Sequence, residues 1–265
     1  MYPLDSYGEG PVLLLLHGFT GSAEEWAEVI PHLTPYRRVI ALDLPGHGRA
    51  AGITDRTMPR CVADLVAMLD DLGLEQIDLL GYSMGGRVAL HLAAAAPQRI
   101  RSLILESASP GLSDPAKRAA RAAADDDLAD QITSRGIAWF TDYWQNIALF
   151  ANQARLPAAT RAALYARRLR CRPEGLAASL RNMGTGRQAS LWNRLNTLSI
   201  RTLLVSGMLD HKFTCINQQM VELMPNARHE NMPGVGHAIH LEQPQAFAQI
   251  VVGFLTELNP SEAQQ

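Results

Sequence analysis

Long apolar runs are missing from this 265-residue chain. Its longest aliphatic stretch, Val12 to Leu16, is far too short to cross a bilayer, and Met1 to Gly10 has neither the basic start nor the apolar stretch of a secretory signal. A soluble, cytoplasmic enzyme or binder is expected, with no membrane span. Cysteine is scarce as well: Cys61, Cys171 and Cys215 are scattered and form no C-x-x-C pair, which argues against a disulfide framework and a zinc knuckle. They read as ordinary thiols. No cluster of His, Cys, Asp or Glu has metal-ligand spacing, so neither a metal nor another cofactor is expected. A net charge of −2 lacks the basic excess of general nucleic-acid affinity. There is no internal repeat, and no segment has the bias of a disordered chain. Oligomeric state is left open.

What is present is 47% hydrophobic and 19% charged sequence, enough for a substantial folded core. Short β-type runs, "VLLLLHG", "RVIALDLPG", "QIDLLGYS" and "SLILESAS", alternate with helix-type runs over Ala23 to Leu33, Met58 to Leu72 and Met84 to Ala96, the last stopped by Pro97. Such an order reads as buried parallel strands joined by helical crossovers. After Ser109 the composition turns helical until about Trp192; then "RTLLVSGMLD" and "ARHENMPGVGH" restore two strands, and Gln243 to Leu258 closes as a helix ahead of a polar tail. The reading is an α/β core, residues 1–110 and 195–265, interrupted by a helical cap, residues 111–194. Charge divides along the same line: from Gly111 to Arg194 twelve arginines and one lysine face seven acidic residues, leaving +6, while the remainder carries −8.

The stretch "LLGYSMGGRVAL" ends a strand in Gly81-Tyr82-Ser83-Met84-Gly85 and leads straight into a helix, the sequence of a nucleophile elbow. Small residues flank the serine because a Cβ there would strike a neighbouring strand or helix. A serine hydroxyl needs a base, and the base an orienting acid. Asp210 follows the strand "TLLVSG" and His237 lies in "PGVGH" after the next one, both at the carboxyl ends where sites form in such sheets. The catalytic assignment is Ser83, His237 and Asp210, with an oxyanion site from the Met84 N–H and the Phe19 N–H in "HGFTG". One G-x-S-x-G is a weak sign; four elements in the required order are a stronger one. His17, Asp43 and His47 read as loop braces, His211 and His240 have no separate catalytic task, and His32, His91 and His229 read as surface residues.

Together the elbow, the "HGF" loop, "DLPGHG" and "GVGHAIHLEQPQAF" resemble the α/β-hydrolase superfamily: a mostly parallel sheet, helices on both faces and an inserted cap. "GYSMGGR", "ESASPGL" followed by "KRAAR", "GLAASLRNMGTGRQASLW" and "LDHKF" are similar, more narrowly, to the 2-succinyl-6-hydroxy-2,4-cyclohexadiene-1-carboxylate synthases of menaquinone (vitamin K2) biosynthesis. Ala189 departs from that pattern, which has proline there. The resemblance implies a lyase that eliminates pyruvate from a substrate with three carboxylates, on a ring, a succinyl arm and an enolpyruvyl group. It also implies that Arg87, Arg121 and Arg168 bind carboxylates, with Arg170 and Arg172 as neighbours two and four positions from the last. Arg87 stands one helical turn after Ser83, and guanidinium groups offer paired donors to carboxylates. Tyr82, Phe140, Tyr143, Trp144, Phe150 and Trp192 could line a pocket, and Tyr143, in "FTDYWQ", is selected as its wall beside Tyr82 and Trp144. Asp125 to Asp127 read as a solvated helix face or turn.

Two alternatives stay open at this point. The same serine could serve a hydrolase of an ester, a thioester or a carbon–carbon bond, and a ligand-binding relative could keep the pocket with little turnover.

Overall fold

Seven strands form one sheet in the computed structural model, which describes residues 2–257. They are β1 (Leu4–Tyr7), β2 (Val12–Leu16), β3 (Arg38–Leu42), β4 (Ile77–Tyr82), β5 (Ile100–Glu106), β6 (Arg201–Gly207) and β7 (Ala227–Met232), in spatial order β1-β3-β2-β4-β5-β6-β7. Only β1 runs antiparallel, pairing Leu4 with Leu42 and Tyr7 with Val39 of β3. The sequence reading missed β1: it is an edge strand of four residues, half-buried to exposed, with no run of apolar residues to mark it.

The helices are α1 (Ile30–Leu33), α2 (Met58–Asp71), α3 (Met84–Ala95), α4 (Pro115–Gln145), α5 (Ala158–Leu169), α6 (Pro173–Met183), α7 (His211–Leu223), α8 (Ile239–Glu242) and α9 (Pro244–Thr256). Because side chains alternate across a strand, β2 serves two cores. Leu14 and Leu16 join Leu65 of α2, Val88 of α3 and Met220 of α7, whereas Leu13 and Leu15 join Trp26, Leu33 of α1 and Phe247 and Phe254 of α9. Both faces are therefore covered, which is what near-continuous apolar strands require.

The helix expected over Ala23 to Leu33 is two pieces, a 3₁₀ turn at Ala23–Trp26 and the short α1. Pro31 has no N–H to donate to the preceding turn, so it opens a new helix instead of continuing the old one. Of the expected closing helix, Leu258 and the polar tail beyond it lie outside the described residues.

Between β5 and β6 the chain forms α4, α5 and α6. Asp114 caps α4, accepting from the Ala116 and Lys117 N–H groups, and the helix breaks its regular backbone at Gly136, where φ is 80° and ψ 174°. Ala129, Ile132 and Phe140 of α4 pack with Leu176, Ala177 and Leu180 of α6 in a separate small core. Phe19 and Trp144 pack against that core, which seats it over the loops that follow β2 and β4.

The expectation of a solvated face for Asp125 to Asp127 fails at Asp125 and holds at the exposed Asp127. Asp125 is 3% exposed and accepts from Arg121 Nε at 2.8 Å, Asp126 pairs with Arg187, and Asp127 accepts from Gln131. Residues one step apart on a helix are turned by about 100°, so a triplet of like charges cannot share one environment.

Candidate active site

Ser83 occupies the turn between β4 and α3 with φ 49° and ψ −105°, a conformation that costs free energy for any residue with a Cβ. It is held there by its N–H, which donates to the Glu106 carbonyl at 2.8 Å. The flanking glycines have a steric reason. A Cβ on Gly85 would lie 2.1 Å from the Leu16 carbonyl oxygen, and one on Gly81 would lie 2.5 Å from that of Gly85. Here β2, β4 and α3 meet backbone to backbone.

Three segments then converge. His237 Nε2 is 3.0 Å from Ser83 Oγ, and His237 Nδ1 is 2.6 Å from Asp210 Oδ2. A carboxylate only accepts, so Nδ1 carries the proton and Nε2 turns its lone pair to the serine. Asp210 caps α7, its other oxygen taking the Phe213 N–H at 3.3 Å, and both Asp210 and His237 are buried. The loops after β6 and β7 lock together through Leu209 N–H to the Val235 carbonyl. Met84 is the first residue of α3, where N–H groups have no partner within the helix, and Phe19 lines the same cavity. Around Phe19 the loop is tied by Gly21 N–H to the Gly18 carbonyl and by Gly18 N–H to Glu25 Oε2 at 3.0 Å.

The cavity over Ser83 encloses about 120 Å³, with Tyr82, Trp144, Phe150 and Phe213 among its walls. Three cations border it: Arg87, Arg121 and Lys212. Arg87 Nη1 is committed to the Met183 carbonyl at 2.7 Å and to Gln188 Oε1 at 2.6 Å, an arrangement that fixes the plane of the guanidinium. Burial, helped by the charge on Arg121, lowers its pKa to about 10, so it remains cationic at neutral pH. Burial also lowers the pKa of Lys212, again helped by Arg121.

Other expected residues lie elsewhere. Tyr143 is exposed and stacks on Trp139 with ring centroids 5.4 Å apart, while Trp144, one residue on, faces Phe19 edge-on at 5.3 Å. A helix turns about 100° per residue, so only one of the two can face inward, and it is Trp144. Phe140 is buried behind Trp144, and Trp192 Nε1 donates to the Gly111 carbonyl, away from Ser83. Arg168 points inward but stops behind Phe150, 5.3 Å from that ring, with Nη2 on Gln153 Oε1 at 3.1 Å; it borders an outer cavity and not the one over Ser83. Arg170 is exposed and paired with Glu24, and Arg172 is exposed.

Loop braces take the places expected. His17 Nε2 accepts the Leu44 N–H at 2.9 Å, Asp43 accepts from Ala23 and Arg49, and His47 Nδ1 donates to the Pro45 carbonyl at 2.9 Å. His32 is exposed, as expected, whereas His91 and His229 are half-buried. His91 is hydrogen-bonded to the Ala189 backbone, with its pKa lowered to about 4 by burial and by Arg87; His229 Nε2 bonds Ser206 Oγ at 2.7 Å. A helix or strand pattern does not reveal when a loop far along the chain will cover one of its positions.

The α/β-hydrolase fold family matches residues 11–244. A Bacillus subtilis (strain 168) protein, provisionally named a 2-succinyl-6-hydroxy-2,4-cyclohexadiene-1-carboxylate synthase, is 41% identical over 94% of this chain and 93% of its own length. The Serratia proteamaculans (strain 568) protein of that name is 33% identical over 94% of both. The solved structure of MenH from S. aureus superposes with a TM-score of 0.93 at 35% identity, covering 97% of this chain and 99% of that one. The chain belongs to the 2-succinyl-6-hydroxy-2,4-cyclohexadiene-1-carboxylate synthase family.

For a member of this synthase family, sequence reading missed several residues of the site. Lys212, which borders the cavity, sits in the quoted "LDHKF", and Gln188, which holds Arg87 from behind, in "GTGRQASLW", so both were within motifs but without an assigned task. Ser107, φ 48°, is fully buried beside the cavity with no partner for Oγ among the described residues. Its place after β5 was legible; its proximity to Ser83, two strands' ends meeting, was not. No group of three or more His, Cys, Asp or Glu with metal-binding geometry occurs among the described residues, and none of the described helices is long and apolar enough to cross a membrane.

Proposed function

We propose that this chain is a carbon–oxygen lyase that eliminates pyruvate from 2-succinyl-5-enolpyruvyl-6-hydroxy-3-cyclohexene-1-carboxylate to give 2-succinyl-6-hydroxy-2,4-cyclohexadiene-1-carboxylate, in the cytoplasm and without a cofactor. The observation that carries this reading is the hydrogen-bonded Ser83–His237–Asp210 chain opening into a small cavity bordered by Arg87, Arg121 and Lys212. An apolar ester would gain nothing from three cations; a polycarboxylate needs them.

In the mechanism, Asp210 holds His237 in the tautomer that accepts at Nε2. As His237 draws the proton from Ser83, the serine oxygen removes the proton from ring carbon 2, which bears the succinyl group and lies α to its ketone. Negative charge moves onto that ketone oxygen, where the Phe19 and Met84 N–H groups donate to it. The electron pair then returns to form the double bond between ring carbons 2 and 3, the existing double bond shifts to carbons 4 and 5, and the bond from carbon 5 to oxygen breaks; the departing enolate takes up the proton to become pyruvate. Serine acts as a base in a relay, with no acyl-enzyme. The cap, residues 111–194, supplies Arg121, Trp144, Phe150 and Leu180 among the walls of a site whose Ser83, His237 and Lys212 come from the core of residues 1–110 and 195–265. Arg168, behind Phe150, is assigned no direct contact in this arrangement.

The test is incubation with the enolpyruvyl substrate while pyruvate and diene absorbance are followed together. Equal formation of both is expected; rapid cleavage of simple esters with neither product would overturn the assignment. The hydrogen-bonded serine would also suit attack on an ester carbonyl. Oxygen-18 water separates the two chemistries, since elimination leaves the pyruvate carboxylate unlabelled.

A further inference from the structure

Beneath the serine, outside the cavity, lies a buried acid–base group that the mechanism does not use. His240 is 0% exposed, clamped between the rings of Tyr82 at 4.6 Å and Trp26 at 4.7 Å. Its Nδ1 is 2.9 Å from both oxygens of Glu106, itself 0% exposed, and its backbone N–H donates to the same carboxylate at 3.1 Å. On the other side, Nε2 faces Glu25 Oε1 at 3.9 Å and has no hydrogen-bond partner among the described residues. A neutral imidazole donating to Glu106 would turn a lone pair toward the second carboxylate. An imidazolium presents N–H to both, and it is the form that two buried carboxylates favour. Burial opposes the charge, but Glu106 and Glu25 outweigh it and raise the pKa of His240 above the ordinary value.

Each of the two glutamates holds one half of the reaction centre, Glu106 by its backbone and Glu25 by its carboxylate. Glu106 accepts the Ser83 N–H on its own backbone carbonyl at 2.8 Å, so the residue that grips His240 also fixes the elbow. Glu25 Oε2 accepts the Gly18 N–H at 3.0 Å, next to Phe19, and approaches Gly21 so closely that a Cβ there would lie 2.3 Å from the oxygen. A continuous link, Ser83 backbone, Glu106, His240, Glu25, Gly18 backbone, therefore joins the nucleophile to the loop that carries the second oxyanion donor.

We propose that His240 is a positioning residue: by bridging Glu106 and Glu25 it sets the distance between Ser83 and the Phe19 N–H, and so the alignment of the oxyanion site. This rests on the assignment of Ser83 and Phe19 above, but not on the identity of the substrate. Because Arg87, Arg121 and Lys212 border the cavity, which His240, Glu106 and Glu25 do not line, loosening the link reduces turnover and leaves binding in place.

The experiment compares His240→Gln, Glu25→Gln and the double variant with the wild type. It measures kcat and KM for pyruvate release, and the rate at which a fluorophosphonate, whose phosphoryl oxygen takes the oxyanion position, modifies Ser83. Circular dichroism and thermal melting report on folding. His240→Gln is expected to lower kcat and the phosphonylation rate roughly 10- to 100-fold, the range for a displaced oxyanion donor, with KM moved by less than about threefold. The double variant should be no slower than the slower single one, since both changes cut the same link. In Glu25→Gln the amide oxygen still accepts the Gly18 N–H, so the fold keeps its bond and only the charge to His240 is lost; a smaller fall in both rates is expected. Unchanged phosphonylation in folded Glu25→Gln, a rise in KM at constant kcat, or additive losses would overturn the proposal. If His240→Gln does not fold, Glu25→Gln decides. A wild type that releases no pyruvate sinks the lyase reading alone, and the phosphonylation arm still decides this one.

Discussion

Arg87, the proposed carboxylate contact, is held in place by the fold itself. Two acceptors take its Nη1, while Nε and Nη2 make no hydrogen bond among the described residues, so the planar donor pair is presented in a fixed orientation. A lysine would keep the charge but not that pair, and could satisfy Met183 and Gln188 only by turning its ammonium away. Arg87→Lys should therefore raise KM more than it lowers kcat, with kcat/KM down by roughly 10- to 100-fold in steady-state pyruvate release. Adjacent residues give an internal control. Trp144→Ala removes a cavity wall and should raise KM several-fold, whereas Tyr143→Ala, on the outside of the same helix, should leave both constants within about twofold. Equal effects of the two would show that the cap adopts a different rotation about the α4 axis when substrate is bound.

Elements meet in two contrasting ways around the site. At the elbow, β2 and α3 touch through the space a side chain would fill, so Gly85→Ala drives a carbon against the rigid Leu16 carbonyl. Such a clash cannot be relieved by a rotamer, and Gly85→Ala should lose more than about 3 kcal/mol, measured by urea unfolding, or fail to fold. At Gly136, by contrast, a Cβ would meet nothing within 4 Å, and the only obstacle is φ 80°. Gly136→Ala should cost roughly 1–3 kcal/mol, from backbone strain alone, and leave the kinetics near wild type. The same residue change thus separates packing from conformation, and the ordering of the two losses is the test.

Over the whole molecule, buried histidines link stability to pH. His91, with its pKa lowered to about 4, and His47, lowered to about 3, are both held neutral by burial, reinforced in the first by the charge on Arg87 and in the second by His17. Each binds a proton less readily folded than unfolded, so the unfolded chain takes up protons first as the pH falls below about 6.5. Their contribution is present above the unfolded pKa and is lost progressively from about 6.5 down to the folded values. The melting temperature should fall between pH 7 and pH 5, and His91→Gln should reduce that slope. A slope unchanged by the substitution would mean that His91 is already accessible to protons in the fold. The basic cap and acidic remainder, +6 and −8, add a long-range field whose effect on substrate capture should weaken with salt.

Much of this protein was legible along the chain. Parallel strands, the elbow, the order of serine, acid and histidine, and the basic segment all follow from local patterns, because the backbone rules for strand ends and tight turns act over a few residues. β1 was missed for the same reason, having too little apolar sequence to register as local pattern. What the sequence by itself determined was therefore the chemistry available. Which groups share a cavity was decided only by the tertiary structure: Lys212 and Trp144 face in, Tyr143 faces out, Arg168 is screened by Phe150, and His240 joins two carboxylates from segments 81 residues apart. The physical reason is that side-chain direction depends on helix rotation and on what other segments bring opposite it, and neither is written in the spacing of one motif.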